Sequence, residues 1–568
     1  MLRSFWRAAA CLFSSIITLG AAEFPRGLDL TGTDVQKLTL SDAIEMMLHN
    51  NLEVKFNRVD IKVEQARTRF ATGVFDPVFK LEVSRESRQI PDLTSNVTSA
   101  DSVLQQQNQF QFISALLQAS GQPVPTFQDF TQPQLLIFDQ DVDRWDSSLT
   151  FRTPLGTQLA VSARESKIRS TFFGDNRIIT PYVQAFGGLE VRQPLLKDFG
   201  PAANLNDVRS SRINEEVARL TWQKSLQEGL GSVLSNYFDM LFAQGDLRTK
   251  QDAIAADEKL VQQNQRRSEL GFMSPIDVQQ ARAQVSLDQE QLISSKNIFM
   301  ERQFALRRLI TSAGRDGASR IFLPVQTSDL SIPSLNRTAL LQTAFQRRPD
   351  YLATVTSAKV QDIRLAFAKN QLWPNLDLVG TYGYNGLDQD WQGARDQAWH
   401  SQAPQWSFGV QFSMPLGRVQ SRAQYDAIKG LKEQAILKIA QSELTVTVDV
   451  DTALSRIETN RQRLSTARQT RELNEEAVRI GYRRMEEGQI SSFDLIETQR
   501  KLYDAKAREL AAQAELNKSI ATLWQVTGTI ADELGITIVA GKRSRDLPEA
   551  THTPKQTLVK ETVPAKKK

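Results

Sequence analysis

The chain has 568 residues, 24% of them charged and 8% aromatic, with a formal net charge of only +4. Its mean hydropathy of −0.36 excludes a bundle of apolar transmembrane helices. The small charge, part of it from a basic tail, leaves no nucleic-acid footprint.

The first segment speaks to the compartment. Arg3 and Arg7 precede an apolar stretch from Ala8 to Leu19, and Gly20-Ala21-Ala22 follows. A basic start, a short apolar run and small residues predict a secretory signal peptide over residues 1–22. The run is too short to span a bilayer as a helix. Cys11, the only cysteine, lies inside this segment, so disulfides and cysteine chemistry are not expected in the mature chain. No later segment offers a long charge-free apolar run. An exported chain of this kind floats free, lies on a membrane or spans it as a β-barrel.

Residues 23–75 read as an N-terminal segment followed by an amphipathic helix. Phe79, Leu81 and Val83 then alternate with Lys80, Glu82 and Ser84, the period-two pattern of a strand. Residues 76–200 are therefore assigned to strands. A Gln-rich insertion, residues 89–140, is expected to be an external loop with partial order. Trp145–Ala163 reads as an additional hairpin around Pro154-Leu155-Gly156. It can add two strands, pack outside a membrane or extend an existing strand. Gly188–Leu195 forms the closing strand, ended by Pro194, which lacks a ladder donor.

Long helical tracts follow. No proline occurs between Pro201 and Pro275 or between Pro415 and Pro548. Residues 201–312 and 418–527 are each expected to form a very long helical hairpin, with the segment near 203–269 reaching roughly 100 Å if wholly helical. Val446, Val450, Ala453 and Ile457 step with coiled-coil-like spacing. Residues 313–337 form a linker, 338–372 a helix, 373–417 a second strand region, and 528–568 a polar tail. The tail is expected to lack structure from about Ser544 onward.

The order repeats. Leu38–Leu81 lies over Leu335–Leu378 without a gap, with Pro77 on Pro374. Gly188–Leu195 matches Gly409–Leu416. Arg266–Asp277 lies over Arg483–Asp494, and in each the glycine ends a helix while Ser274 or Ser491 caps the next. Asp277 and Asp494 fall in the first turn of the new helix, where negative charge is favoured.

The carrying motifs are Leu40-Ser41-Asp42-Ala43-Ile44, Asn50-Asn51-Leu52, Pro77, Gln193-Pro194-Leu195-Leu196, Met414-Pro415-Leu416 and the two Gly-x-x-Ser-x-x-Asp turns. In this order, and duplicated, they resemble the outer-membrane efflux protein (TolC-like) family over about residues 38–527. The resemblance implies a mixed α and β fold: a long α-helical barrel fused to a transmembrane β-barrel, built from a tandem repeat and completed by a homotrimer. It also implies a passive exit duct of a tripartite efflux or type I secretion system, sited in the outer membrane with its helices in the periplasm. A periplasmic adaptor and an inner-membrane pump would open and energise it. No cofactor, metal or catalytic centre is expected; His49, His400 and His552 are scattered and no nucleophile or phosphate-binding motif occurs. A periplasmic coiled-coil adaptor or scaffold is the alternative, sharing the rods but not the membrane strands.

The resemblance carries roles to particular residues. Asp494 and Glu497, one helical turn apart, would line the periplasmic constriction as stacked acidic rings that favour cations. The alternative is that Asp494 only caps its helix while Glu497 is solvated. Asp277 would hold the gate, with Tyr482, Arg483 or Arg484 as candidate partners, or would serve only as a surface helix cap. Gly271, Phe272, Gly488 and Gln489 fall where adaptor tips dock, or the two glycines simply terminate helices. Trp145, Trp373, Tyr382, Tyr384 and Trp406 are expected as membrane-interface aromatics, with Trp391 and Trp399 nearby.

Overall fold

The computed structural model describes residues 35–93, 100–124, 135–170, 181–312, 320–325, 330–332, 334–400, 403–539 and 547–552. The signal-like segment 1–22 and the terminal lysines lie outside the described residues.

Two short helices open the described chain. Thr39 and Asp42 form a reciprocal capping box on α1 (Leu40–Asn50), which buries Leu40, Ala43, Ile44 and Met47. Asn51 ends α1, and its side chain accepts from Glu53 and Val54 N–H to start α2 (Leu52–Thr72). Residues 338–372 were expected as one helix but form α6 (Arg337–Arg347) and α7 (Pro349–Asn370). The break falls at Arg348, because the residue before a proline is pushed out of helical geometry. The ungapped pairing of 38–81 with 335–378 places Arg348 opposite Asn51.

Six strands make one antiparallel sheet in the order β2 (Val78–Leu93), β3 (Leu135–Arg152), β4 (Gln158–Ser170), β5 (Tyr182–Pro194), β7 (Asn375–Asp388) and β8 (Ala403–Ser413). The hairpin expected at 145–163 is therefore a full strand pair inserted between β2 and β5. The insertion 89–140 is less loop-like than its composition suggested. Strands run to Leu93 and from Leu135, and α3 (Ala100–Ala119) lies between them. A short helix, α8 (Trp391–Trp399), connects β7 to β8 and packs Ala394 against Val183 and Ala185.

The rods are α4 (Asn206–Glu269, 64 residues) and α9 (Val419–Glu486, 68 residues), each about 100 Å long. Their returning partners α5 (Pro275–Ile310) and α10 (Ser492–Val526) have 36 and 35 residues, so each hairpin returns only half way. The remaining half of α4 is flanked by α2 and α7, and that of α9 by α7. Where the half-lengths meet, the main core forms around Trp222, Leu226, Leu230, Tyr237 and Trp524. A parallel pair, β1 (Val35–Leu38) with β6 (Ile321–Pro324), closes over it. The Tyr237 hydroxyl donates to the Leu38 and Val325 carbonyls at 3.0 and 2.8 Å.

The C-terminal tail departs from expectation. Ile530, Leu534 and Ile536 are buried in that core. Strand β9 (Ile536–Val539) pairs antiparallel with β10 (Glu549–His552). Within the polar-looking tail, residues 547–552 are thus held against the first helices: His552 lies 2.9 Å from Ser41 and Arg58 pairs with Glu549 at 2.7 Å. The apolar residues at 530–536 and 547–550 supplied the signal for this docking.

Candidate functional site

The two hairpin tips are built alike. At the end of α4 the Phe272 N–H reaches the Arg267 carbonyl and the Gly271 N–H that of Ser268, at 2.9 and 3.0 Å. At the end of α9 Gln489 N–H reaches Arg484 and Gly488 N–H reaches Met485, at 2.8 and 3.2 Å. This double bond pattern requires a left-handed residue, and Gly271 and Gly488 have φ of +78° and +74°. A Cβ at either glycine would meet nothing within 4 Å, so conformation rather than space selects glycine there. Phe272 and Gln489 are exposed at the tips, Phe272 to 82%.

Asp494 is engaged in the helix cap. Its Oδ2 accepts from the Ser491 N–H at 3.1 Å and the Ser491 hydroxyl at 2.7 Å, while its own N–H donates back to Ser491 Oγ. These bonds hold its carboxyl below the usual carboxylate range. Its other oxygen is not used by the cap. Glu497 lies one turn on, paired with Arg500 at 3.0 Å and Lys501 at 3.8 Å. Asp277 makes no ion pair or side-chain hydrogen bond among the described residues. Within one copy the structure does not join it to its candidate partners. Tyr482 instead meets Gln499 Nε2 at 2.5 Å, and Arg484 reaches Gln489.

Sequence reasoning missed a buried polar layer just above the tip. Asp257 on α4 and Asp288 on α5 are both buried, with Asp288 accepting from Gln284 at 3.1 Å. Burial, and then the facing Asp288 carboxyl, push Asp257 up to about 8. The same burial and the Asp257 charge raise Tyr482, and push Tyr503 up to about 12. Asn264 is fully buried against Ser492 at 2.6 Å. The available signal was polar residues on a buried stripe, since Ala253, Asp257, Leu260 and Asn264 step by four, three and four.

At the other end, strand register sorts the sheet into two faces. Phe79, Leu149, Val161, Leu189, Tyr382 and Trp406 form one continuous row across all six strands. Neighbouring rows on this face hold Leu81, Val83, Leu159, Val191, Leu378, Val410 and Phe412. Many side chains on this face are exposed: Phe408, beside Gly380, to 68%, Phe412 to 62% and Trp406 to 73%. Beyond Val83, Trp145 and Ala163 the same face turns charged, with Arg85, Asp143, Glu165 and Arg169; Arg169 meets Asp143 at 2.8 Å. The opposite face carries Lys80, Glu82, Ser148, Ser162, Glu190, Arg192, Asp377 and Gln411. On it the Phe186 ring covers Gly188 and Gly383, where a Cβ would approach the ring to 2.6 and 2.7 Å.

The apolar band has an aromatic at each margin. Trp373 precedes β7 at the helix junction, and Tyr382 and Tyr384 lie nine and eleven residues further on, their hydroxyls 2.8 Å apart. Strand tilted about 40° from a membrane normal would rise at most about 23 Å over the step from Trp373 to Tyr382, close to an apolar membrane band of about 25 Å. Trp145 sits at the boundary between apolar and charged rows. No described helix is long and apolar enough to cross a membrane, and no metal-binding cluster occurs among the described residues.

Both layers end at the same two lateral edges. The sheet ends in β2 and β8, which continue directly from α2 and into α9. Beside the sheet the helices neighbour one another as α2–α4–α7–α9, and towards the tips as α5–α4–α10–α9. The end helices carry unpartnered apolar stripes. Leu52, Phe56, Val59 and Val63 are exposed on α2, and Leu437, Leu444, Val448, Leu473 and Ile480 on α9.

Comparison with known proteins places this geometry. A family model described as outer membrane efflux protein matches residues 176–312 and 340–529. The outer membrane protein TolC of Vibrio cholerae serotype O1 is 23% identical over 317 residues, covering 54% of this chain and 69% of that protein. The toluene efflux pump outer membrane protein TtgC of Pseudomonas putida is 22% identical over 365 residues, covering 62% and 71%. Among solved structures, the Campylobacter jejuni CmeC outer membrane channel superposes with a TM-score of 0.57 at 14% identity, covering 86% of each chain. The Vibrio cholerae outer membrane protein VceC gives 0.57 at 14% identity, covering 86% of this chain and 96% of that one.

Proposed function

The chain belongs to the outer membrane efflux protein family, and on that premise we propose that it is one copy of a trimeric exit duct. Its sheets close a β-barrel in the outer membrane and its rods continue the wall through the periplasm. The observation that carries this reading is the two-faced sheet with matching open edges. An exposed apolar face bounded by aromatics and then by charges suits lipid, and the polar face suits a water-filled lumen. Six alternating strands place β2 and β8 antiparallel at the two edges, so β8 of one copy can pair with β2 of the next. The apolar stripes on α2 and α9, and the exposed Leu287, Ile293 and Ile298 of α5, are carried to the same contact. A head-to-tail interface of this kind closes into a ring.

The paired helix breaks at Asn51 and Arg348 and the paired tips support a duplicated ancestry for the two halves. The tips are the natural docking point for a periplasmic adaptor, because Gly271 and Gly488 leave the backbone uncovered and Phe272 exposes an apolar side chain. Asp494 and Glu497 from each copy form acidic rings at the narrow end, and docking widens it. Transport energy comes from an inner-membrane pump, in a tripartite efflux or type I secretion assembly. The exposed apolar sheet argues against a free periplasmic scaffold, which would leave that face in water.

Fractionation tests the reading. The protein is expected in the outer membrane, extractable only with detergent, and trimeric by light scattering of the purified complex. Release as a monomer without detergent would reject it. Changing Phe56 to Asp together with Leu444 to Asp should shift the extracted protein from trimer to monomer.

A further inference from the structure

We propose that the inserted hairpin β3–β4 is a wall element that widens the membrane pore to the bore of the helical duct. Each copy then contributes six strands, eighteen in a trimer, and the exit passes bulky hydrophilic cargo. The proposal rests on the membrane-duct reading above. It is carried by a feature outside the stretch matched by the family model, which begins at residue 176, after β4 has ended.

Three observations place the hairpin in the wall. It is hydrogen-bonded on both sides along its length, to β2 through β3 and to β5 through β4. Its apolar residues keep the depth of their neighbours, since Leu149 and Val161 lie in the row that runs from Phe79 to Tyr382. They give way to charge within one row of their neighbours: Asp143 lies beside Arg85, and Glu165 one row nearer the helices, beside Trp145. Finally, its inner turn is fastened to the strand-to-rod linker. The Gly200 N–H donates to the Leu155 carbonyl at 3.0 Å, and the Thr157 hydroxyl to Gln193 at 2.6 Å. Gly156, at φ +93°, leaves no room for a Cβ, which would stand 2.5 Å from the Asp198 carbonyl oxygen.

Width follows from arithmetic that does not depend on the number of copies. Four helices per copy at 8–10 Å spacing span an arc of about 32–40 Å. Strands about 4.8 Å apart and tilted about 40° each occupy roughly 6.3 Å of circumference. Six strands therefore span about 38 Å and match the helical arc, whereas four would span only about 25 Å. Without the hairpin the sheet would be the narrower section of the duct. With it, strand number enters the range that leaves an open aqueous channel of about 16–18 strands.

Cysteine labelling in a Cys11→Ser background tests the placement. With a membrane-impermeant maleimide on the intact trimer in lipid, Ser162→Cys should label about an order of magnitude faster than Val161→Cys. Gln411→Cys against Val410→Cys on β8 is the control pair and should behave alike. Alternation at 410 and 411 with none at 161 and 162 overturns the proposal and leaves the membrane reading standing. Loss of alternation at both pairs overturns the membrane reading and this proposal with it. Pore width is read separately by polymer exclusion from the strand side. Excision of residues 94–181, joining β2 to β5, should reduce the diameter of the largest admitted polymer by about a third. Where that deletion fails to assemble, Gly156→Ala, which frees the inner turn, should slow Ser162→Cys labelling. An unchanged polymer limit in an assembled deletion contradicts the proposal.

Discussion

Asp494 caps its helix and, in the proposed duct, also lines the narrow end. Its cap on α10 uses one carboxylate oxygen, and the same bonds keep it ionised. Because its folded value lies below the unfolded one, its stabilising contribution is present above the unfolded value and is lost as pH falls through the folded one. Asp494→Asn with Glu497→Gln preserves a capping oxygen while removing both charges. The expected result is weaker cation selectivity and weaker block by multivalent cations, with the trimer intact; unchanged block would reject the acidic rings. Asp257 behaves oppositely. Folded Asp257 keeps its proton to about 8, whereas an unfolded Asp loses it near 4. The folded state binds more protons between those values, so stability falls as pH rises across that window and levels off above it. Asp257→Asn should flatten this slope and raise the thermal midpoint at pH 8 by about 2–4 °C. A midpoint with the same pH slope as the parent would contradict the account of the buried pair, which Asp288, Tyr482 and Tyr503 face from the packed helices.

At the scale of elements, the tips show why a short sequence signal can be decisive. Gly271 and Gly488 are each followed three residues later by a capping serine, and the backbone bonds repeat in both copies of the turn. Alanine fits sterically at either glycine, so the cost is backbone strain of about 1–2 kcal/mol per tip. Gly488→Ala is expected to speed amide exchange over residues 484–491 while leaving exchange in the rods unchanged, with Gly488→Asn close to the parent. No local change in exchange would show that the left-handed turn is not holding the tip. The strands were legible from alternation at Phe79–Val83 and Leu376–Tyr384, and the rods from their lack of proline. Other features were not. The half-length return of α5 and α10 reflects where α2 and α7 take over the remaining halves of α4 and α9, which no periodicity encodes. The split at Arg348 was available in Pro349. The extra strand pair was visible as a hairpin, but its place between β2 and β5 is a matter of long-range register. At the candidate site, Asp494 and both glycines fell where the sequence placed them on the tips. The Asp257–Asp288 pair escaped because facing helices, rather than neighbours in sequence, create it.

For the whole molecule, one pair of lateral edges organises everything else. Sheet and rods expose apolar surface at the ends of the same row, so pairing β8 with β2 of a second copy also covers α2, α5 and α9. In the proposed duct, lipid accounts for the apolar face of the sheet and the lumen for the polar one. The most direct test of this account is single-channel recording from the purified, detergent-extracted protein in a planar bilayer. The account predicts discrete, cation-selective openings from a trimeric species, with larger conductance in the Asp494→Asn, Glu497→Gln variant if the rings define the narrow point. A purified trimer that inserts into the bilayer yet conducts no ions under any applied voltage, in the parent and the variant alike, would contradict it.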